Sequence, residues 1–517
     1  MPNRPTFVQR ILTICLCVAA AFAAASCTDA RNDARSRRPT ATLPAQTALA
    51  PAGSPRIRSR PLSPLPMRYT VGGSLNGLGA GKTVVLRNNG GNDLALDANT
   101  TFTFTTPLTS GATYAVTVAT QPAGLICTVG GGSGVVGGAN ITNVIVNCST
   151  AAPACTSTIG SGLVAAVGAA PGGSVICLNS STYASSDISF VNKTSDVTVR
   201  PANGATVNIT GLKINSSSHL RFTGLGGTLR IAGIDVDAPE GNPASTWMTF
   251  DHIEFTEAVS LRARAKNMHW LIDSSTFINI HVALWEGALT VRGYNIDGDQ
   301  GIVISNNLFR GDGAIDGTDG VQLIGGANGV IVRGNEFTRI DQHPSPSASH
   351  ADPIQVYGAT NIVVDRNYFH DNGGTGGFVD FDGPNSGMVI TNNVFEAHRR
   401  GGFIFPWAIA ANAAQGWLIE HNTIVGGGSV RIDGAASGNI VRNNIFVVGG
   451  LSLADGAVGT TTHHHNLNSG YPGAGNLNGN PIFVGGSAPT TYAGYVLAPG
   501  SVGRNASSTG TNMGINP

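Results

Sequence analysis

Apolar and polar residues alternate in short runs through most of this chain. Between residues 68 and 149 the runs YTVGGSL, KTVVLRN, LALDA, TFTFTT, YAVTVAT and NVIVNC each predict a strand, parted by Gly, Asn and Pro turns. From residue 151 the stretch STIGSGLVAAVGAAPGGSVICLNSSTY offers one short helix, a Pro-Gly-Gly turn and an apolar strand. Beyond it one phrase keeps returning: WMTFDHIEFTEA, MHWLIDSSTFINI, GIVISNNLFRGD, GVIVRGNEFTRI, NIVVDRNYFHDN, GMVITNNVFEAH, GWLIEHNTIVGG and GNIVRNNIFVVG. Asn307, Asn335, Asn367, Asn393, Asn422 and Asn444 align within it, at intervals of about 20–35 residues. Alternating strands at that period, with no helix between them, predict a β solenoid, because one coil alone cannot bury its apolar side. The Asn column has a physical task there. An inward Asn at a turn bonds its own coil's backbone and the Asn of the next coil.

Composition agrees. Glycine is abundant, 70 of 517 residues, roughly twice the usual share, without a Gly-X-Y period. Charged residues are only 12%, with 30 Lys+Arg against 30 Asp+Glu. That balance argues against a nucleic-acid partner. With 41% hydrophobic residues, it also argues against global disorder.

The first residues predict export. Arg4 and Arg10 precede the apolar run ILTICLCVAAAFAAAS, too short and too well flanked to be a good membrane span. Ala24-Ala25-Ser26-Cys27 resembles a bacterial lipobox, with Ala24 where Leu is usual, and implies lipidation of Cys27. The expected location is the outer membrane or cell surface; without lipidation it is the periplasm or exterior. Residues 28–66, rich in Pro, Ala and Ser, read as a disordered tether. Cys15 and Cys17 fall in the signal, and four cysteines remain beyond Cys27. In an exported chain these predict two disulfides, Cys127–Cys148 and Cys155–Cys177, one in each folded unit. His463, His464 and His465 are expected in a solvated loop.

Residues 67–150 resemble the small immunoglobulin-like or carboxypeptidase-regulatory-like β-sandwiches found beside bacterial surface enzymes. The repeats of 151–517, with their helix-PGG-strand opening and the closing segment GNLNGNPIFVGG, resemble the right-handed parallel β-helix of the pectate-lyase-like superfamily. The expected fold class is therefore all-β, a right-handed solenoid behind a small sandwich. The resemblance implies a monomer acting on or binding polysaccharide; the fold does not choose the reaction.

Equivalent positions on successive coils stack about 4.8 Å apart, so a site is sought by registering coils. Aligning SLRAR, ALTVR, GVQLI, PIQVY, FVDFD, GFIFP and SVRID places Leu261, Leu289, Val321, Ile354, Val379, Phe403 and Val430 inward. Two columns then face outward. One runs Arg262, Thr290, Gln322, Gln355, Asp380, Ile404, Arg431; the other runs Arg264, Arg292, Ile324, Tyr357, Asp382, Pro406, Asp433. The same register sets Asp319 over Asp352 and brings His350 near Arg399 and Arg400, with Trp407 at one lip. Arginine, carboxylate and His together suggest β-elimination on an acidic glycan. Arg264, Arg292 and Arg399 neutralise a uronate, His350 acts as base, and Gln322, Gln355, Tyr357, Arg400 and Trp407 contact substrate. Ca2+ is the expected cofactor, through Asp352, Asp380 and Asp382. Asp380 and Asp382, about 6.5–7 Å apart on one strand, also fit an inverting glycosidase of polygalacturonase type. A non-catalytic adhesin or glycan-binding scaffold is the third reading.

Overall fold

The computed structural model describes residues 67–516, apart from 282–286, 295–297, 312–317, 342–350, 374–375, 383–384, 397–406 and 426–427. The side chains of Phe381, Asp382 and Asp455 are also outside the description. Cys27, the tether, His350, Arg399 and Arg400 therefore lie outside the described residues.

Residues 68–150 form two four-stranded sheets and a two-stranded ribbon around Val71, Leu75, Val84, Leu86, Phe102, Phe104, Val144 and Val146. Cys127 and Cys148 face each other across the pair Leu125–Gly130 and Ile141–Thr150 and form a disulfide. Cys155 and Cys177 form the second.

The rest is a solenoid of three parallel sheets of 13, 11 and 11 strands, visited in turn by the chain. The helix Leu163–Ala169 buries Leu163 and Val167 at its start. One contiguous apolar cluster fills the interior. Between the first and second sheets the turn is almost invariant. It is two residues from Asp273 to Thr276 onward, as at Ser274–Ser275, Asn306–Asn307 and Asn392–Asn393. The first of the two has positive φ, at Ser274, Asn306, Arg366, Asn392, His421 and Asn443, with Gly334 in the same place. The second is the Asn column. Asn335 Nδ2 donates to Ile304 O at 3.0 Å and to Asn367 Oδ1 at 3.0 Å, and Asn335 N donates to that same Oδ1 at 2.9 Å. The pattern continues through Asn393, Asn422, Asn444 and Asn466. Two residues on, Phe255, Phe277, Phe309, Phe337, Phe369 and Phe395 stack with centroids 4.5–5.0 Å apart. Each buried Phe contributes about 1.5–3 kcal/mol, and no buried amide of the ladder lacks a partner, so apolar and polar stacking reinforce one register.

Past the last coils the chain turns back over the outside of the second sheet. Phe483, Tyr495, Leu497, Met513 and Ile515 pack on Tyr368, Val394 and Ile445. Gly514, at φ 69, lets this segment approach closely. A Cβ there would sit 2.6 Å from both Ile445 Cδ1 and Thr423 Oγ1. Two of the three histidines are not in a loop: His463 and His464 lie in Thr461–His464, the last strand of the first sheet, and His463 packs on Tyr471, while His465 follows in the bend after it.

Candidate functional site

Where the chain passes from the second sheet to the third, connection length changes along the solenoid. In the first coils it is short: 184–185, 210–211, 232–233 and 256–258. In the last coils it is short again, at 426–428 and 447–449. Between them stand 279–286, 311–318, 339–353, 371–375 and 397–406, on five consecutive coils. A solenoid gains nothing in stability by lengthening turns at one corner only, since loop closure costs entropy. Insertions gathered over one face are the usual dress of a binding face.

The third-sheet face beside this corner changes in the same coils. Thr290, Gln322 and Gln355 stack on successive strands and are all buried, although their column faces outward. Gln322 Nε2 donates to Gln355 Oε1 at 2.5 Å, Thr290 Oγ1 to Gln322 Oε1 at 3.5 Å, and Gly287 N to Thr290 Oγ1 at 3.2 Å. At the start of the same strands Asp319 and Asp352 are buried on adjacent coils, and Asp352 N donates to Asp319 Oδ1 at 2.7 Å. Burial and the neighbouring Asp352 carboxylate push Asp319 well above the usual carboxylate range, and the amide offsets this only in part. Asn279, His281, Arg310, Arg339, Asp341 and Asp319 border a cavity of about 30 Å³ at this corner, room for about one water.

Farther out on the face, charge and rings are exposed. Arg262 and Arg292 are register partners on adjacent strands. Arg262 is paired with Asp235, and with Asp237 at 3.4 Å. Arg292 is exposed, and among the described residues it has no ion-pair partner. Tyr357 is 51% exposed, two coils on from Arg292 in the same column. Arg264 donates to Asp237 at 2.6 Å and to Tyr294 Oη at 3.1 Å, and lies 3.9 Å over the Tyr294 ring. Burial pushes Asp237 up, but the hydrogen bond from Arg264 and the two guanidinium charges bring it below the usual range. Trp407 stacks on Arg431 at 4.4 Å, and Arg431 pairs with Asp433 at 2.5 Å.

Several sequence expectations need correction. Leu261 pairs with Val291, not Leu289, so Arg262 rather than Arg264 is the neighbour of Arg292. Arg264 is committed to Asp237, so it is not a free cation for substrate. Gln322 and Gln355 are bonded to each other and 5% and 8% exposed, so they shape the floor rather than offer themselves to a ligand. GFIFP is not the next strand; Trp407–Asn412 is, with Ile409 opposite Phe378 and Val430.

The largest correction concerns FVDFD. Ile354 pairs with Phe378 and Val356 with Asp380, and an irregularity then brings Tyr357 opposite Asp382. Phe378 therefore points inward, against Trp417. Asp380 occupies the inward column of Leu261, Val291, Leu323, Val356 and Ile432, and is 4% exposed. Asn385 Nδ2 donates to it, as does Asn412 N at 3.3 Å. A one-residue slip sends every side chain to the other face, and a bulge restores parity after it. Asp380 is thus a core carboxylate, not half of an exposed pair, and the inverting-glycosidase geometry loses its first member. Asp352 and Asp380 do not fit one Ca2+ either. Asp380 stands opposite Val356, four residues along the strand from Asp352, which is about 13 Å. Among the described residues no group of three or more His, Cys, Asp or Glu is placed to hold a metal ion.

The sequence reading passed over Tyr294, Arg339, Asp341 and His281. For His281, Arg339 and Asp341 the signal was position in the long connections; Tyr294 follows the third-sheet strand Gly287–Gly293, beside Arg264. Asp319 was aligned over Asp352 but given no role.

Residues 253–488 match the family model described as the right handed beta helix region. No curated protein matches. Among solved structures, the PL6 family alginate lyase AlyGC aligns at 15% identity and TM-score 0.45, over 70% of this chain and 60% of that one. Pectate lyase Pel9A aligns at 14% and 0.34, over 70% and 96%, and the PL6 family polysaccharide lyase Pedsa3628 from Pseudopedobacter saltans at 15% and 0.30, over 70% and 100%. The aligned region spans about 60% of the length of AlyGC. With its stacked parallel sheets and the family match over its repeats, the solenoid of this chain is a right-handed parallel β-helix.

Proposed function

We propose that this protein is an exported polysaccharide lyase that cleaves a uronate-containing glycan along the outer face of the third sheet. The observation that supports this most is Arg292, an exposed guanidinium without an ion-pair partner among the described residues, on the coils where the long connections gather. A uronate carboxylate paired with it loses charge density, and the C–H beside that carboxylate becomes more acidic. A base then takes this proton, the electron pair forms the C=C bond, the glycosidic C–O bond breaks, and the leaving oxygen receives a proton. His350 is the base on chemical grounds, with Arg399 and Arg400 as further carboxylate partners and Asp382 beside Tyr357; these four assignments rest on sequence position. Tyr357 and Trp407 supply ring surface for sugar on either side.

The test is a panel of uronate and neutral polysaccharides, read for unsaturated-product absorbance and for new reducing ends, with Ca2+ and with EDTA. Unsaturated ends on a uronate polymer support the lyase. Reducing ends without unsaturation point to hydrolysis, and binding without cleavage to a scaffold. Cation dependence of turnover tests the Ca2+ expectation. The export reading carries its own test: Cys27→Ser should release the protein from membranes, and globomycin should make the precursor accumulate. Unchanged membrane fractionation of Cys27→Ser protein would contradict lipidation.

A further inference from the structure

The returning C-terminal segment and the outer face of the second sheet border a cavity of about 450 Å³, on a different sheet from the proposed uronate face. Its floor is Glu336, Arg366, Tyr368 and His370; its wall is Thr490, Thr491 and Tyr492. The volume lies in the range of small-ligand sites. The wall is pinned. Tyr492 Oη donates to Asn392 O at 2.6 Å, Tyr495 Oη donates to Glu396, and Asn516 N donates to Asn392 Oδ1 at 3.3 Å. The cavity is thus formed before anything enters it, which spares a ligand the cost of ordering it.

Its chemistry is balanced. His370 Nε2 lies 3.0 Å from Glu336 Oε1, and Arg366 NH1 lies 2.6 Å from Asp365 Oδ2. Each charge at the floor already has an opposite partner, so the lining attracts neither an anion nor a cation strongly. What it presents is a carboxylate, an imidazole, a guanidinium that is half exposed, Thr hydroxyls, and the rings of Tyr368 and Tyr492. Hydrogen-bonding groups of both senses beside ring surface suit a compact, uncharged, hydroxyl-rich molecule. A simple anion site would leave its cations unpaired, as Arg292 is on the third sheet among the described residues.

We infer that this cavity is a second carbohydrate site, one that takes a neutral sugar ring or the end of a neutral oligosaccharide and holds it apart from the third-sheet face. It does not depend on the lyase reading, because it uses no residue of that face. It gives the protein a hold on neutral glycan lying beside a uronate polymer.

The test uses the full-length protein with cellohexaose, xylohexaose and mannohexaose, and with hexameric oligouronates as the contrast, by isothermal titration and ligand-observed NMR. At least one neutral hexamer should bind. Arg366→Ala, at a position half exposed to solvent, and Tyr492→Phe, which keeps the ring and removes the hydroxyl, check the location. Arg366→Ala should weaken binding by about tenfold or more, as loss of a hydrogen bond from a charged group does. Arg292→Ala should leave it unchanged. No binding of any neutral hexamer overturns the inference. So does binding that survives both cavity variants with thermal melting unaltered, or that Arg292→Ala abolishes. Absence of turnover by the parent protein on every uronate polymer, with neutral-glycan binding intact, would count against the third-sheet reading alone.

Discussion

Two corners of the same coil behave in opposite ways. At the corner between the first and second sheets, a two-residue turn repeats with an Asn whose amide is bonded on every side, and the coils differ little. At the corner between the second and third sheets, connections run from two residues to 339–353, and the polar residues beneath them are buried in pairs and rows. The first corner is where coil stacking is decided, because each Asn leaves its neighbours unsatisfied if it moves. The second is free to vary, because the ladder has already fixed the register. A solenoid can carry a site at one corner because another corner holds the repeat.

That contrast can be broken most severely at the ladder. Asn367→Ala removes the acceptor of Asn335 N and Nδ2 and the donor to Val332 O and Asn393 Oδ1. With several buried groups left unpaired, the loss should be about 4 kcal/mol, read by denaturant unfolding. A loss below about 1 kcal/mol would show that the ladder does not hold the stack.

Next comes the buried carboxylate. Asp380→Ala leaves the donors of Asn385 Nδ2 and Asn412 N without it. It should cost about 2 kcal/mol, with turnover per folded molecule retained. Abolished turnover at unchanged stability would restore Asp380 to the reacting face.

How much of this was legible in the sequence follows the same two corners. The Asn and Phe columns announced themselves because identical residues recur where identical physics recurs. The disulfides followed from an even remainder of cysteines. FVDFD misled because three of its five residues are apolar and alternation fits either parity. Hydropathy cannot foresee a carboxylate pointing inward when an Asn from the following turn and a backbone amide of the next coil satisfy it. The Arg264 column failed for a related reason: the offset of two between SLRAR and ALTVR preserves alternation, so no apolar residue objects. Position in the long connections, rather than residue type, was the signal for His281, Arg339 and Asp341.

A smaller effect concerns pH on the second sheet. Burial lowers the His370 pKa, but its hydrogen bond to the Glu336 carboxylate and the charges of Glu336, Glu396 and Asp371 outweigh it, and the net shift is upward. Glu336 is shifted downward, chiefly by the hydrogen bond it accepts from His370. A raised His stabilises fully below its unfolded value of 6.5, and that part is lost as pH rises through the folded pKa. A lowered Glu stabilises fully above its unfolded value of 4.5, and that part is lost as pH falls through the folded pKa. The pair should therefore contribute most between these two values, by less than about 1 kcal/mol because Glu336 is half exposed. His370→Gln should show its largest melting deficit in that window; a deficit that is flat with pH would remove the ion pair from the account.

The central claim is that the chemistry lies on the outer third-sheet face of the coils that carry the long connections, and Arg292 tests it most directly. Arg292→Ala should change stability by no more than about 0.5 kcal/mol, as exposed substitutions do. On the uronate polymer that the parent cleaves, its rate of unsaturated-end formation should fall by about a hundredfold or more, the scale on which one aimed electrostatic partner acts. Full lyase activity in Arg292→Ala, with melting unchanged, would contradict the account and move the reaction to another part of the solenoid.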